Sequence, residues 1–119
     1  DQYGEYNAIF CVAVLHHIPE REQQLFVLKE AKKHLIKGGF LYLTVWNLWQ
    51  EKFLQYHLDG YALVPYNKQW KRYCVTYDIK SLTELLTEAG YNVEALFYAN
   101  AAGEKVGIAE GQNLVAVAR

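Results

Sequence analysis

The chain predicts an α/β fold organised on a parallel strand–helix–strand unit, and three stretches carry that expectation. Ala8 to Leu15 are consecutive apolar residues with neither helical spacing nor polar alternation. Such a run suits a strand covered on both faces, as in the middle of a parallel sheet. It stops at His16, His17 and Pro19, and ligand sites of open α/β sheets lie just beyond the carboxyl ends of the strands. Glu20 to Ile36 then reads as a helix, Lys37–Gly38–Gly39 as its stop, and Phe40 to Trp46 as a second strand. Strand, helix and strand joined this closely read as a right-handed parallel crossover.

In order along the chain, Asp1 to Glu5 reads as a loop feeding the first strand. The helix carries Leu25, Leu28, Ala31, Leu35 and Ile36 on one stripe, the spacing of a helix lying on a sheet. Glu20 and Glu22 near its start and Lys32, Lys33 and His34 near its end complement the helix dipole. Asn47 to Val75 is the least regular part: Trp49, Phe53, Leu54 and Tyr56 suggest a short helix, and Gly60 and Pro65 break the stretch after it. Asp78 is a good N-cap for a helix with Ile79, Leu82, Leu85, Leu86 and Ala89 at helical spacing and Gly90 as its stop. Tyr91–Tyr98 and Asn113–Ala118 read as two further strands. The linker Ala99–Gln112, with Gly103, Gly107 and Gly111, is compatible with an antiparallel return.

Composition narrows the class. The 119 residues suit one domain, and 52% hydrophobic against 21% charged residues describes a globular chain. A net charge of −1 gives no global steering towards nucleic acid, so such binding needs a local patch. No run approaches the apolar length of a membrane span. Cys11 and Cys74 make neither a metal spacing nor a disulfide framework, so no metal is expected and a cytoplasmic chain without a membrane partner is. The chain has no methionine and begins at Asp1, which predicts a piece of a longer protein.

Two constellations carry candidate chemistry. His17 is placed to orient or deprotonate a ligand, because histidine titrates near neutrality; it can equally hydrogen-bond the loop before the helix. Tyr66, Lys68, Trp70, Lys71, Arg72 and Tyr73 interleave cations with aromatics. That pattern suits phosphate contacts with base stacking, and equally a lid over a small substrate. Arg72 suits a carboxylate, which its guanidinium holds in a planar fork; it also suits a phosphate, or stacking on Trp70.

The residues Val14–Leu15–His16–His17–Ile18–Pro19, followed by Leu35–Ile36–Lys37–Gly38–Gly39–Phe40 through Trp46, resemble the second half of a class I S-adenosylmethionine-dependent methyltransferase. The resemblance covers nearly the whole chain. It implies the C-terminal half of a Rossmann-like methyltransferase sheet, strands four to seven, with the last strand antiparallel beside the fifth. Residues 1–119 would then be one partial methyltransferase domain lacking the N-terminal half. The family's glycine-rich cofactor loop and its acidic residue ending the second strand are not in this sequence. The spacing of Gly103, Gly107 and Gly111 is no substitute, because it does not follow a strand and open a helix.

The same resemblance implies S-adenosyl-L-methionine as cofactor, with Ala13, Val14 and His16 against it and His17, Arg72 and Tyr73 as catalytic residues. Trp46, Asn47 and Lys71 fall to the acceptor. Val45–Trp46–Asn47, Val64–Pro65–Tyr66 and Arg72–Tyr73 ahead of Asp78–Leu82 look like the methyltransferases acting on wobble-uridine carboxymethyl groups of tRNA, and their bacterial relatives. In that group Tyr-His commonly follows the Arg-Tyr pair; here Cys74 and Val75 stand there, a departure that bears on any base role of that histidine. The expected partner is tRNA or a small-molecule acceptor, the alternative being a non-catalytic fragment or partner subunit. If the family's strand order holds, the first strand becomes an unprotected sheet edge and self-association through it is expected.

Overall fold

The computed structural model describes residues 4–119. Strand β1 (Tyr6–Val12) leads through a single 3-10 turn (Leu15–His17) to helix α1 (Arg21–His34) and strand β2 (Leu35–Trp46). Helix α2 (Glu51–Leu54), strands β3 (Tyr61–Pro65) and β4 (Lys71–Val75), and helix α3 (Ile79–Glu88) follow. Strands β5 (Val93–Ala99), β6 (Lys105–Val106) and β7 (Asn113–Ala118) complete the chain. The main sheet has the order β1-β2-β7-β5-β6, and β3 and β4 form a separate antiparallel ribbon. β1 and β2 are parallel, whereas β7 lies antiparallel between β2 and β5. This is the α/β arrangement with an inserted antiparallel last strand that the sequence implies.

The first strand is shorter and earlier than Ala8–Leu15. Ala13 takes φ 57°, in the left-handed region, and its N–H donates to the Thr44 carbonyl at 2.9 Å and to Thr44 Oγ1 at 3.2 Å. A non-glycine residue there reverses the backbone and ends the strand. Leu15 therefore leaves the sheet and drops into the core from the 3-10 turn. Nor is the strand covered on both faces. Ile9 and Cys11 pack on the core, while Phe10 and Val12 are 64% and 57% exposed, with the rings of Phe40 and Tyr42 beside Phe10. Among the described residues no strand pairs with the outer edge of β1.

Helix α1 also ends sooner than the apolar stripe suggests. Leu35 is already extended, pairs with Tyr6, and starts a strand that runs through Gly38 and Gly39. Gly38 has φ 82°, and a Cβ on Gly39 would stand 2.9 Å from the Asn7 carbonyl oxygen and 3.1 Å from that of Tyr6. β1 thus passes too close for any side chain. The core lies on one face of the sheet, where Leu41, Leu43 and Val45 of β2 and Leu114, Ala116 and Ala118 of β7 meet Leu28, Leu82, Leu85 and Leu86 of the two long helices.

Helix α3 matches expectation at both ends. Asp78 Oδ1 accepts from the Ser81 N–H at 2.7 Å, the Asp78 N–H donates to Ser81 Oγ at 2.9 Å, and Gly90 takes φ 96°. β5 starts at Val93 rather than Tyr91, because Tyr91 is buried and its hydroxyl donates to the Leu28 carbonyl at 2.6 Å. Asn47 to Val75 is far more regular than its sequence suggests, holding α2 and the β3–β4 ribbon. Among the described residues no helix is long and apolar enough to cross a membrane, and no group of three His, Cys, Asp or Glu side chains is placed to hold a metal ion.

Candidate active site

The 3-10 turn after β1 delivers two histidines to the end of β2. His16 is fully buried and His17 partly so, with 4.0 Å between their ring centroids. Trp46, the last residue of β2, lies 4.7 Å from the His16 ring and 4.9 Å from that of His17. Among the described residues neither nitrogen of His16 has a hydrogen-bond partner. Burial, reinforced by the neighbouring His17, pushes its pKa down to about 3, so His16 is a neutral ring at physiological pH.

The β3–β4 ribbon closes over this pair. His17 Nδ1 is 3.3 Å from the Tyr73 carbonyl oxygen and 3.7 Å from Cys74 Sγ. A carbonyl oxygen only accepts, so an Nδ1–H bond to Tyr73 leaves the Nε2 lone pair for another partner. His17, Arg72 and Tyr73 line a cavity of about 300 Å³. Register explains their delivery: Arg72 pairs with Val64 and Tyr73 with Leu63, and the Tyr73 ring stacks on Tyr61 at 4.7 Å. The Arg72 guanidinium lies 4.6 Å above the Tyr66 ring, so its aromatic neighbour is Tyr66 and not Trp70. Cys74 is buried, and desolvation pushes its thiol up to about 11, the nearby Arg72 opposing this; it is no thiolate nucleophile at neutral pH.

The expected residues are thus gathered unevenly. His16, His17, Trp46 and Tyr73 form one cluster with Arg72 on its rim. Ala13 supplies the left-handed turn and Val14 is 48% exposed beside it. Lys71 is exposed on β4. Asn47 is fully buried: its amide donates to the carbonyls of Ile108 (2.7 Å) and Gly111 (2.9 Å), and its oxygen accepts from the Trp49 N–H at 3.0 Å. It ties two loops together and holds no group free for an acceptor. A second cavity, of about 290 Å³, opens on Trp46 and is lined further by Gln50, Lys52, Phe53, Gln112 and Asn113. These residues come from separate segments of the chain, and the Trp46–Asn113 register joins them. A larger cleft, about 460 Å³ along Lys29, Lys32 and Gly90, lies on the helix side and not at the strand ends.

Known proteins share this fold. A protein of Encephalitozoon cuniculi named as a methyltransferase is 28% identical over 95 residues, covering 74% of this chain, which spans 45% of that protein. A solved S-adenosylmethionine-dependent methyltransferase of Methanosarcina mazei superposes with a TM-score of 0.76 at 17% identity, over 98% of this chain and 60% of its own. The 1,6-didemethyltoxoflavin-N1-methyltransferase of Burkholderia thailandensis, solved with that substrate and S-adenosylhomocysteine, does so with a TM-score of 0.64 at 18% identity, over 100% and 45%. These structural likenesses show a shared Rossmann-like fold, of which the chain spans roughly half to three-fifths. The model of the methyltransferase domain family matches residues 1–96, and with most of its length inside that match the chain belongs to the methyltransferase domain family.

Proposed function

We propose that this chain carries the acceptor side of an S-adenosylmethionine-dependent methyltransferase. The observation that supports it best is the convergence of His17, Trp46, Arg72 and Tyr73 beyond the carboxyl ends of the two parallel strands, where α/β sheets hold their ligands. The residues at the end of β1 fit one wall of a cofactor site. Val12 and Val14 leave apolar surface open beside the left-handed turn at Ala13, and His16 brings a buried ring with unpaired nitrogens. The glycine-rich loop and acidic ribose clamp would come from a longer chain; this one spans 45% of the Encephalitozoon relative and 60% of the Methanosarcina structure.

When bound, the cofactor supplies an electrophilic methyl on a sulfonium. The chain's own residues need then only align an acceptor, and alignment supplies much of the rate. Arg72 would grip a carboxylate in its planar fork, and a carboxylate has no proton to lose. For an acceptor that does carry one, Nε2 of His17 is the free lone pair. The finer reading is a carboxymethyl uridine of tRNA, supported by the Tyr66–Arg72 stack and by Trp70, which is 59% exposed just before β4. A small-molecule acceptor is the second reading, favoured by the Burkholderia neighbour.

Transfer of a radiolabelled methyl from S-adenosylmethionine by the full-length protein tests this, with tRNA and small carboxylates offered in parallel. Incorporation that falls at least tenfold in His17→Ala and Arg72→Ala supports the reading. Absence of incorporation into every acceptor, with the cofactor bound, would leave the chain a non-catalytic partner subunit.

A further inference from the structure

We propose that the cavity bounded by Trp46, Phe53, Gln50, Gln112, Asn113 and Lys52 is a nucleotide site, in which a base stacks on aromatic surface, carboxamides read its edge and Lys52 meets its phosphate. This rests on the methyl-transfer reading only in taking the bound base as the acceptor.

The walls are assembled in advance. Trp46 and Asn113 are direct cross-strand partners, so both side chains project from the same face of the sheet, with Cβ atoms roughly 5 Å apart. A flat ligand lying on the indole therefore has its rim beside the Asn113 carboxamide. Gln50 Nε2 donates to the Asn47 carbonyl at 2.9 Å, which fixes that side chain and leaves its oxygen to accept. Buried Asn47 in turn clamps the Trp49 backbone to the Ile108 and Gly111 carbonyls, so the segment bearing Gln50, Lys52 and Phe53 is locked to the one bearing Gln112 and Asn113. Lys52 lies 5.1 Å from the Phe53 ring centroid, and no carboxylate among the described residues forms an ion pair with it.

The chemistry selects the ligand class. Asn and Gln present a donor and an acceptor side by side, the complement of a nucleobase edge, while aromatic faces hold any base by stacking. A simple anion has no use for Trp46 and Phe53, and an apolar acceptor would leave the Gln112 and Asn113 carboxamides without a partner on the ligand, at a cost. The volume of about 290 Å³ suits one nucleotide, near the lower end of small-molecule sites. His17 packs on the same indole and lines a separate cavity with Arg72 and Tyr73, so Trp46 connects the nucleotide site to the histidine cluster.

The test tracks the side-chain amide resonances of the full-length protein by NMR as uridine 5′-monophosphate, uridine, ribose 5-phosphate or a short oligouridylate is added. Saturable shifts of the Gln50 and Asn113 amides with the monophosphate are expected, and none with ribose 5-phosphate. Asn113→Ala should weaken binding about tenfold. Lys52→Ala should weaken the monophosphate several-fold and leave uridine unchanged. If Asn113→Ala disturbs β7, seen as a lowered melting temperature, Gln112→Ala in the exposed loop replaces it. Oligouridylate binding at least tenfold tighter than the monophosphate identifies RNA as the source of the nucleotide, and equal binding identifies a free nucleotide. The proposal is overturned if neither saturates, or if both carboxamide variants bind as the parent does. Methyl incorporation, read separately, keeps the two readings apart: transfer to a non-nucleotide without monophosphate binding sinks this one alone.

Discussion

The imidazole of His17 meets the indole of Trp46 edge-on, with 4.9 Å between centroids and 87° between planes. Trp46 closes β2 and His17 lies just past β1, so this one contact couples the ends of the two parallel strands. The Tyr73 carbonyl pins the imidazole from the ribbon, and the ring is thereby held from two elements far apart in sequence.

Arg72 sits at the rim of that cluster, above the Tyr66 ring. Arg72→Lys keeps the charge but loses the planar fork and the stacking surface. Turnover on a carboxylate acceptor should fall about tenfold or more, while cofactor affinity measured by calorimetry stays unchanged. A substituted enzyme with parental turnover on every acceptor reduces Arg72 to a surface residue.

His16 makes stability depend on pH. Its folded pKa, near 3, lies below the 6.5 of an ordinary histidine, mainly through burial. Above 6.5 the ring is neutral in both states and contributes no slope. Between 6.5 and about 3 the unfolded chain takes up a proton that the fold refuses, so stability falls as pH falls, by up to about 1.4 kcal/mol per pH unit. His16→Phe should remove that part of the slope, read as the difference between the two proteins in urea melts. At pH 7 it should be neutral or stabilising, because two orphaned nitrogens disappear. Parallel pH profiles would show that His16 is hydrated in solution.

Local signals and long-range pairing divide what the sequence reveals from what it hides. The helix from Asp78 to Gly90 is legible because its signals are local: a capping residue, a period and a stop. The β3–β4 ribbon is not, because Gly60 and Pro65 read as breakers. Pro65 is tolerated because both strands of a two-stranded ribbon are edges, and Asn67 Oδ1 accepts from the Gln69 and Trp70 N–H groups to make the turn. Leu35 and Ile36 fit the helical stripe yet belong to β2, since pairing with β1 overrides local period. His17 can be found because it stands at a strand's end in sequence as in space. The carboxamides of Gln50, Gln112 and Asn113 escape a linear reading because only sheet register brings them together.

Gly39 tests how tightly β1 and β2 are fitted. Its Cβ would meet carbonyl oxygens of Asn7, Ile36 and Tyr6 at 2.9, 3.0 and 3.1 Å, all backbone atoms that cannot swing aside. Gly39→Ala should destabilise by about 1–3 kcal/mol in denaturant unfolding. Gly103→Ala, at φ 82° with nothing within 4 Å, isolates the backbone term alone and should cost about 1–2 kcal/mol. The two sites also differ in kind: only Gly39→Ala should speed amide exchange across the β1–β2 pair.

The free edge of β1 carries the last prediction. One side of the strand is bonded to β2, and along the other the N–H and C=O groups find no strand among the described residues. Phe10 and Val12 lie exposed on the same strand, and it carries no lysine or proline to discourage pairing. Expressed as these 119 residues, the chain should self-associate by pairing β1 with a second copy. Amides from Tyr6 to Val12 should then exchange in an alternating pattern when dilute, slow where they face β2 and fast where they face out, and uniformly slowly once associated. Phe10→Lys should shift sedimentation towards monomer without lowering the melting temperature, because that side chain contributes little to the core. A concentration-independent monomer with uniform protection along β1 would place another segment over the edge and remove the reason for association.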